Sequence, residues 1–379
     1  MAAIEYIDQT PKEIRYFDDD LGDISEEQEK DITDSVAEIF QTPLTGAYNW
    51  DYSAQDNRIK KLYELGKELN WNGEIDIDWD RPFPEMDLSN ENEEGRALNP
   101  FADWEPYERM SDEDKQRVTR HMNAWGINQF LHGEQGALLV ASQLVSAAPT
   151  YNAKLYAASQ AFDEARHVEV FNRYCQERLQ LMYPVNNALK DILDKILTDE
   201  RWDLKFIGMQ IIIEGLALSA FNTFKAITPD PVLHDLLHLV IRDEARHVTF
   251  GVNYLEAFVK GLTDEEREER AMFAYEACVL SRERLIATDV FEEFGWDVEE
   301  ARKRQLDGVV MKAFRNLLFN RVIPNLKRIG LLTDKVRPLY EALGVLEYEN
   351  LPNDGVIDWA ELSKPLDEVG DAELGATAS

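Results

Sequence analysis

Asp163-Glu164-Ala165-Arg166-His167 and Asp243-Glu244-Ala245-Arg246-His247 are one pentapeptide, present twice in this chain. Each copy contains Glu-x-x-His, and residues three apart share a helix face, so each presents a carboxylate and an imidazole to one neighbour. Upstream of each copy a Glu interrupts an otherwise apolar helical pattern: Glu134 in Gly133-Glu134-Gln135-Gly136, and Glu214 in Ile213-Glu214-Gly215-Leu216. Thirty residues separate Glu134 from Glu164, and thirty separate Glu214 from Glu244. The chain therefore carries an internal repeat of two helix pairs, each contributing Glu and then Glu-x-x-His.

Four carboxylates facing one another in a core are severely destabilising unless something compensates them. Two divalent cations do so, with Glu134, Glu164, His167, Glu214, Glu244 and His247 as the six ligands, an arrangement built from the facing helices of a bundle. One Glu-x-x-His alone reads as a solvated helix pair; two identical copies, each with a Glu at the same upstream spacing, read as a metal site. The remaining histidines do not join the stripe. His132 lies two residues from Glu134 and so on another face, His121 shares its helix, and His234 and His238 precede Glu244 by ten and six residues. They are expected at the surface or between helices.

Working outward, helical patterns dominate from Ser111 onward. Ser111 and Asp114 form an N-cap signal for a helix over 111–147, ended by Pro149. Further helices are expected over 152–182, 187–197, 200–227 and 232–259, then two long ones over 263–294 and 298–329, the last kinked at Pro324. No period-two alternation is long enough for a sizeable sheet. The first hundred residues differ: residues 18–30 and 87–94 are acidic, and between them Ile59, Leu62, Tyr63, Leu65 and Leu69 form one helical face. The tryptophan-rich stretch 71–79 follows, its tryptophans expected as packing anchors. The expected organisation is an appendage over 1–105, a helical bundle over 106–350 and an acidic, fraying tail over 351–379.

The formal net charge of -33 on 379 residues disfavours nonspecific contact with nucleic acid or an anionic membrane. Cys175 and Cys278 stand far apart with no CxxC pair, which excludes cysteine-ligated iron–sulfur, rubredoxin-type and zinc-ribbon sites and fits a reducing cytoplasm. The polar, acidic start of the chain is not that of a signal peptide. The most apolar run, 207–221, is 15 residues long and broken by Gln210 and Glu214, so it is expected to be a core helix and not a membrane span.

The paired Asp-Glu-x-Arg-His motifs, each preceded by a Glu helix, resemble the ferritin-like di-iron carboxylate superfamily over residues 111–259. The motif pattern is most similar to bacterial multicomponent monooxygenase hydroxylases, with acyl-carrier-protein desaturases and arylamine N-oxygenases further off; it also resembles a group of bacterial ferritin-like proteins of unassigned activity. The resemblance implies an all-α, ferritin-like helix bundle with extra helices and two iron ions, or manganese in their place. It implies Asp163 bonding His247 and Asp243 bonding His167, with Arg166 and Arg246 neutralising these aspartates. A bound imidazole needs its second nitrogen satisfied, which is the physical reason for such pairs.

Three positions depart from relatives within the superfamily. The hydroxylases carry Thr one turn after the third carboxylate, where this chain has Leu218 beside Ala217. The ribonucleotide reductase small subunit has a radical Tyr one turn after its first ligand His, where this chain has Phe171. The best-known N-oxygenase adds a His one turn before its last Glu-x-x-His, where this chain has Val240. The expected function is a dioxygen-activating di-iron oxidase or monooxygenase acting on a small organic substrate; Gln210, Ala217, Leu218 and Phe221, near Glu214 on its helix, could line the substrate side but read first as core residues and are not counted in the site. Electrons would come from an external reductase or ferredoxin, because the chain has no Rossmann fingerprint and no iron–sulfur cysteines. A homodimer is compatible with this reading. The alternative is a non-oxygenase metal protein, either a ferroxidase or a bundle held together by its metal pair.

Overall fold

The computed structural model of the chain describes residues 5–6, 40–43, 45–52, 56–83, 96 and 98–356. The acidic stretches 18–30 and 87–94 and the tail beyond residue 356 lie outside them. Four long helices form the centre: α2 (Asp112–Ala147), α3 (Tyr151–Arg173), α5 (Trp202–Ile227) and α6 (Pro231–Val259). The α2 helix packs along α3, and α5 along α6, so the two sequence repeats are two helix pairs in space. Ahead of them α1 (Asn57–Glu68) lies against α3 and α6, with Ile59 and Leu62 buried and Tyr63, Leu65 and Leu69 half-buried.

The boundaries have local causes. Ser111 caps α2 by accepting from the Asp114 amide at 3.1 Å, Thr150 caps α3, and Asp230 caps α6 with Pro231 in the first turn. Almost every α6 side chain from Val232 to Asn253 is buried, so α6 is the central helix and α1, α3 and α5 wrap it. Trp202–Ile227 is apolar and long enough to cross a membrane by composition, contrary to the expectation from 207–221 alone, but 94% of its apolar window is buried inside the protein. It is a core helix.

Three elements differ from the sequence reading. The helix expected over 152–182 is α-helical only to Arg173 and continues as a π-helix over Tyr174–Leu179. Within α5, Ile207–Ile213 is π-helical and ends at the residue before Glu214. The two long C-terminal helices are broken into α7 (Asp264–Glu283), α8 (Thr288–Glu293), α9 (Val298–Asp307), α10 (Val309–Leu317) and α11 (Phe319–Ile329), after the short α4 (Asn187–Leu197) earlier in the chain. The breaks fall at 284–287, at Gly308 and at Leu318, whereas Pro324 stays inside α11. Glu5–Tyr6 (β1) pairs in parallel with Leu181–Met182 (β2), a sheet of two short strands.

Candidate metal centre

Six buried side chains converge between the four central helices: Glu134 from α2, Glu164 and His167 from α3, Glu214 from α5, and Glu244 and His247 from α6. None is more than 4% exposed. Ligand-type atoms of Glu134, Glu164, His167 and Glu244 lie within 4.8 Å of one another, as do those of Glu164, Glu214 and His247. Glu164 belongs to both groups. The arrangement has approximate two-fold character: His167 Nδ1 is 3.1 Å from Glu244 Oε1 of the other motif, and His247 Nδ1 is 3.1 Å from Glu164 Oε1.

His167 Nδ1 also lies 3.2 Å from Glu134 Oε2 and 3.3 Å from Glu164 Oε2. One ring nitrogen carries at most one proton and cannot donate to three carboxylates at once. A cation among them satisfies all three. Glu164 Oε2, Glu214 Oε2, both oxygens of Glu244 and His247 Nδ1 are buried without a hydrogen-bond partner, although some lie at ion-pair distance. Orphaned acceptors at this density are unfavourable in a protein core unless a metal takes them up. Burial, and then the neighbouring Glu244, push Glu134 well above the usual carboxylate range; burial does the same to Glu214. Burial also opposes ionisation of Glu164, but His247 and His167 hold it low. The donor set of hard carboxylates and imidazoles suits iron or manganese.

Outside this cluster the imidazoles are oriented from their far side. His167 Nε2 is 3.1 Å from Asp243 Oδ2, and His247 Nε2 is 3.2 Å from Asp163 Oδ2. Each aspartate thus serves the histidine of the opposite motif. Arg166 Nη2 donates to Asp163 at 2.6 Å and to Asp243 at 2.8 Å, while Arg246 Nη2 donates to Asp243 at 2.5 Å and to Asp163 at 3.1 Å. Burial works against the Asp243 charge, but Arg246, His167 and Arg166 hold its carboxyl well below the usual range. The structure therefore brings all ten residues named from the sequence into one assembly.

Other participants were not read from the sequence. Gln160, one turn before Glu164, donates to Glu214 Oε1 at 2.7 Å and to Glu164 Oε1 at 3.2 Å, tying the two helix pairs together. Its position one turn up the ligand stripe was the available signal. Trp71 donates its indole N–H to Asp243 Oδ2 at 2.8 Å, and the Arg166 guanidinium stacks 4.7 Å from the ring. It is a packing residue, as expected, and also a hydrogen-bond donor to the site. Nothing local in the sequence announced this, since the partners are 172 residues apart.

The other expected positions divide. Ala217 and Phe221 line a small cavity against Glu134, Glu214 and Glu244, whereas Gln210 turns away and donates to Gln160 Oε1 at 3.3 Å, and Leu218 is buried outside that cavity. Phe171 packs on Phe130 and Phe221, and Val240 is fully buried. His121 pairs with the Tyr183 hydroxyl at 2.6 Å, His132 with the Tyr183 carbonyl at 2.9 Å, His234 with Asp235 and His238 with Lys225; each lies off the ligand cluster.

The family model for p-aminobenzoate N-oxygenase AurF matches residues 53–330. The chain belongs to the AurF family. No curated protein matches it. Among solved structures, it is similar to an R2-like ligand-binding oxidase with aerobically reconstituted Mn/Fe cofactor, at 18% identity and TM-score 0.43 over 75% of this chain and 94% of that one. The same oxidase with its metal cofactor after photoconversion matches at 19% identity and TM-score 0.44, over 74% and 94%. Family membership corrects one emphasis: the match is to the N-oxygenases, placed further off than the hydroxylases by motif pattern. This AurF-family chain is a ferritin-like di-metal oxidoreductase that oxidises an organic substrate with dioxygen. Its cofactor is a pair of metal ions, which the buried carboxylate and histidine cluster fits.

Proposed function

We propose that Glu134, Glu164, His167, Glu214, Glu244 and His247 would hold the metal pair. Asp163, Arg166, Asp243 and Arg246 then orient the two imidazoles and balance charge around them. The observation that carries this reading is the meeting of three carboxylates at one nitrogen of His167. When bound, the metal pair supplies the activation of dioxygen needed to oxidise the organic substrate.

The chain itself contributes three things. The crossed Asp–His pairs fix which imidazole nitrogen faces inward. Gln160 holds Glu164 and Glu214 in place by its amide N–H groups. An aromatic layer excludes water: Phe130 packs edge-on against Phe221 at 4.8 Å and Phe224 at 5.0 Å between centroids. Beyond Phe224 and Ile127 lies a second cavity of about 480 Å³, walled off from the centre by these rings. Beside the centre itself, Phe130, Ala137, Ile213, Ala217 and Phe221 form a wall that suits a small, largely apolar substrate.

Electrons come from an external reductase or ferredoxin, steered by the acidic surface of the chain. Buried, separate thiols at Cys175 and Cys278 support a reducing, cytoplasmic setting. We expect a homodimer, which sedimentation of the purified chain tests. The oxidase reading is tested by metal analysis together with rapid mixing of the reduced, iron-loaded protein with dioxygen. Dioxygen uptake within seconds, hastened by an aromatic substrate, is expected. A reduced protein stable in air for hours would indicate a purely structural metal pair, and a ferric mineral product would indicate a ferroxidase.

A further inference from the structure

The metal centre has no room for an organic molecule: the cavity against Glu134, Glu214 and Glu244 is about 20 Å³, the space of one water. The outer cavity of about 480 Å³ is within the size of ordinary small-molecule sites. Two helix stripes run from one to the other. On α2, Asn123 and Ile127 line the outer cavity, Phe130 lines the inner one, and Glu134 stands one turn further on. On α5, Ile227 and Phe224 line the outer cavity, and Phe221, Ala217 and Glu214 line the inner one. Residues three and four apart share a helix face, so each stripe continues unbroken from the outer cavity to a carboxylate of the metal centre.

Between the two cavities stand Phe130 and Phe224, in edge contact at 5.0 Å between centroids. Both rings are half-buried, so a change of side-chain rotamer parts them without moving a helix. The wall of the outer cavity is mostly apolar, with Leu179 and Leu233 joining Ile127 and Phe224. Ile227 is 69% exposed at its rim, an aliphatic side chain left in water that an apolar guest would cover. The arginines there already have partners: Arg117 donates to Glu293 at 3.3 Å, Arg120 to the Leu179 carbonyl at 3.0 Å and Arg178 to Asp230 at 2.9 Å. A charged guest would lose hydration without an unclaimed arginine to replace it.

We propose that the outer cavity is a binding site for an uncharged, largely apolar organic molecule, held there until the seam between Phe224 and Phe130 opens towards the metal centre. This deepens the oxidase reading, by placing a waiting site for its substrate, and rests on it. Phe224 and Phe130 are positioning residues in this scheme: closed, they keep water from the metals, and open, they admit the guest.

The test uses the metal-loaded full chain, titrated calorimetrically with indole and with indole-3-carboxylate, the same ring carrying a charge. Indole should bind, and the carboxylate should bind roughly tenfold or more weakly. Asn123→Trp fills the outer cavity from an exposed position on α2 and should lower indole affinity roughly tenfold. Gln116→Trp, exposed on the same lining face, serves if that variant does not fold. Access to the metals is read from the rate at which azide changes the absorption of the oxidised, iron-loaded protein. Saturating indole should slow this rate, Asn123→Trp should slow it without indole, and Phe224→Ala should raise it several-fold, with metal content unaltered. Wild-type protein that does not bind indole, carboxylate bound as tightly as indole, or full affinity in the tryptophan variants overturns the site. Azide rates indifferent to both indole and Phe224→Ala overturn the passage between the rings. Dioxygen uptake is followed in parallel: uptake without indole binding sinks the waiting site alone, and binding with gated azide access but no uptake sinks the oxidase reading alone.

Discussion

Trp71 donates its indole N–H to Asp243 Oδ2 at 2.8 Å, and the same oxygen lies 3.1 Å from His167 Nε2. A residue ahead of the bundle thereby helps fix the orientation of an imidazole in its centre. Trp71→Phe keeps most of the ring and removes the donor. Metal affinity, measured by chelator competition, should fall about tenfold, at the lower end of the range for such supporting contacts. Affinity equal to wild type would reduce Trp71 to a packing residue.

The crossed aspartates carry a larger effect. Asp163→Asn keeps the shape of the side chain but removes the charge facing His247 and the two arginines. The fold should persist while metal affinity drops roughly 10- to 100-fold. A variant with wild-type affinity would show that His247 is oriented by other means.

Direct loss of ligands gives the clearest count. Wild-type protein should bind about two metal ions per chain, as a site of this type requires. In Glu164→Ala/Glu244→Ala both carboxylates placed between the histidines are missing, and the pair of ions should not be retained. Elemental analysis showing two ions in the double variant would exclude both Glu-x-x-His motifs from the site.

The metal-free protein should lose stability as pH rises. Burial holds Glu134 and Glu214 above their ordinary value of 4.5, and although burial opposes it, the surrounding acids hold His167 and His247 above 6.5. Above these ordinary values the folded chain therefore binds more protons than the unfolded chain, and stability falls with pH. Glu164 and Asp243 are held low; their contribution is complete above about pH 5 and is lost only on acidification. Thermal midpoints of the chelated protein should decline between about pH 5 and pH 8, with a flatter profile once metal is restored. A chelated protein that gains stability over that interval would contradict the burial of these acids.

The approach of α5 to α6 depends on a missing side chain. At Gly251 a Cβ would stand 2.5 Å from Gln210 Cβ, close to the backbone where the side chain cannot swing aside. Gly251→Ala should destabilise by about 1–3 kcal/mol, despite the better helix propensity of alanine. Chemical denaturation of the metal-loaded variant measures it, and a stabilised variant would mean that the helices separate easily.

The sequence alone determined the repeat, the six ligand-type residues and the all-helical bundle. The reason is that helical periodicity is local: Glu164 and His167, three apart, share a face wherever their helix is placed. Helix starts were legible on the same ground, since the Ser111 cap closes within three residues. Only the tertiary structure decided how the faces meet. The π-helical turn over Ile207–Ile213 and the breaks in the C-terminal helices follow from packing against α4, α6 and one another, and apolar periodicity does not record them. The pairing of Trp71 with Asp243 and of Gln160 with Glu214 joins segments far apart in the chain. Their geometry is set by how helices cross, which short-range residue pattern does not encode.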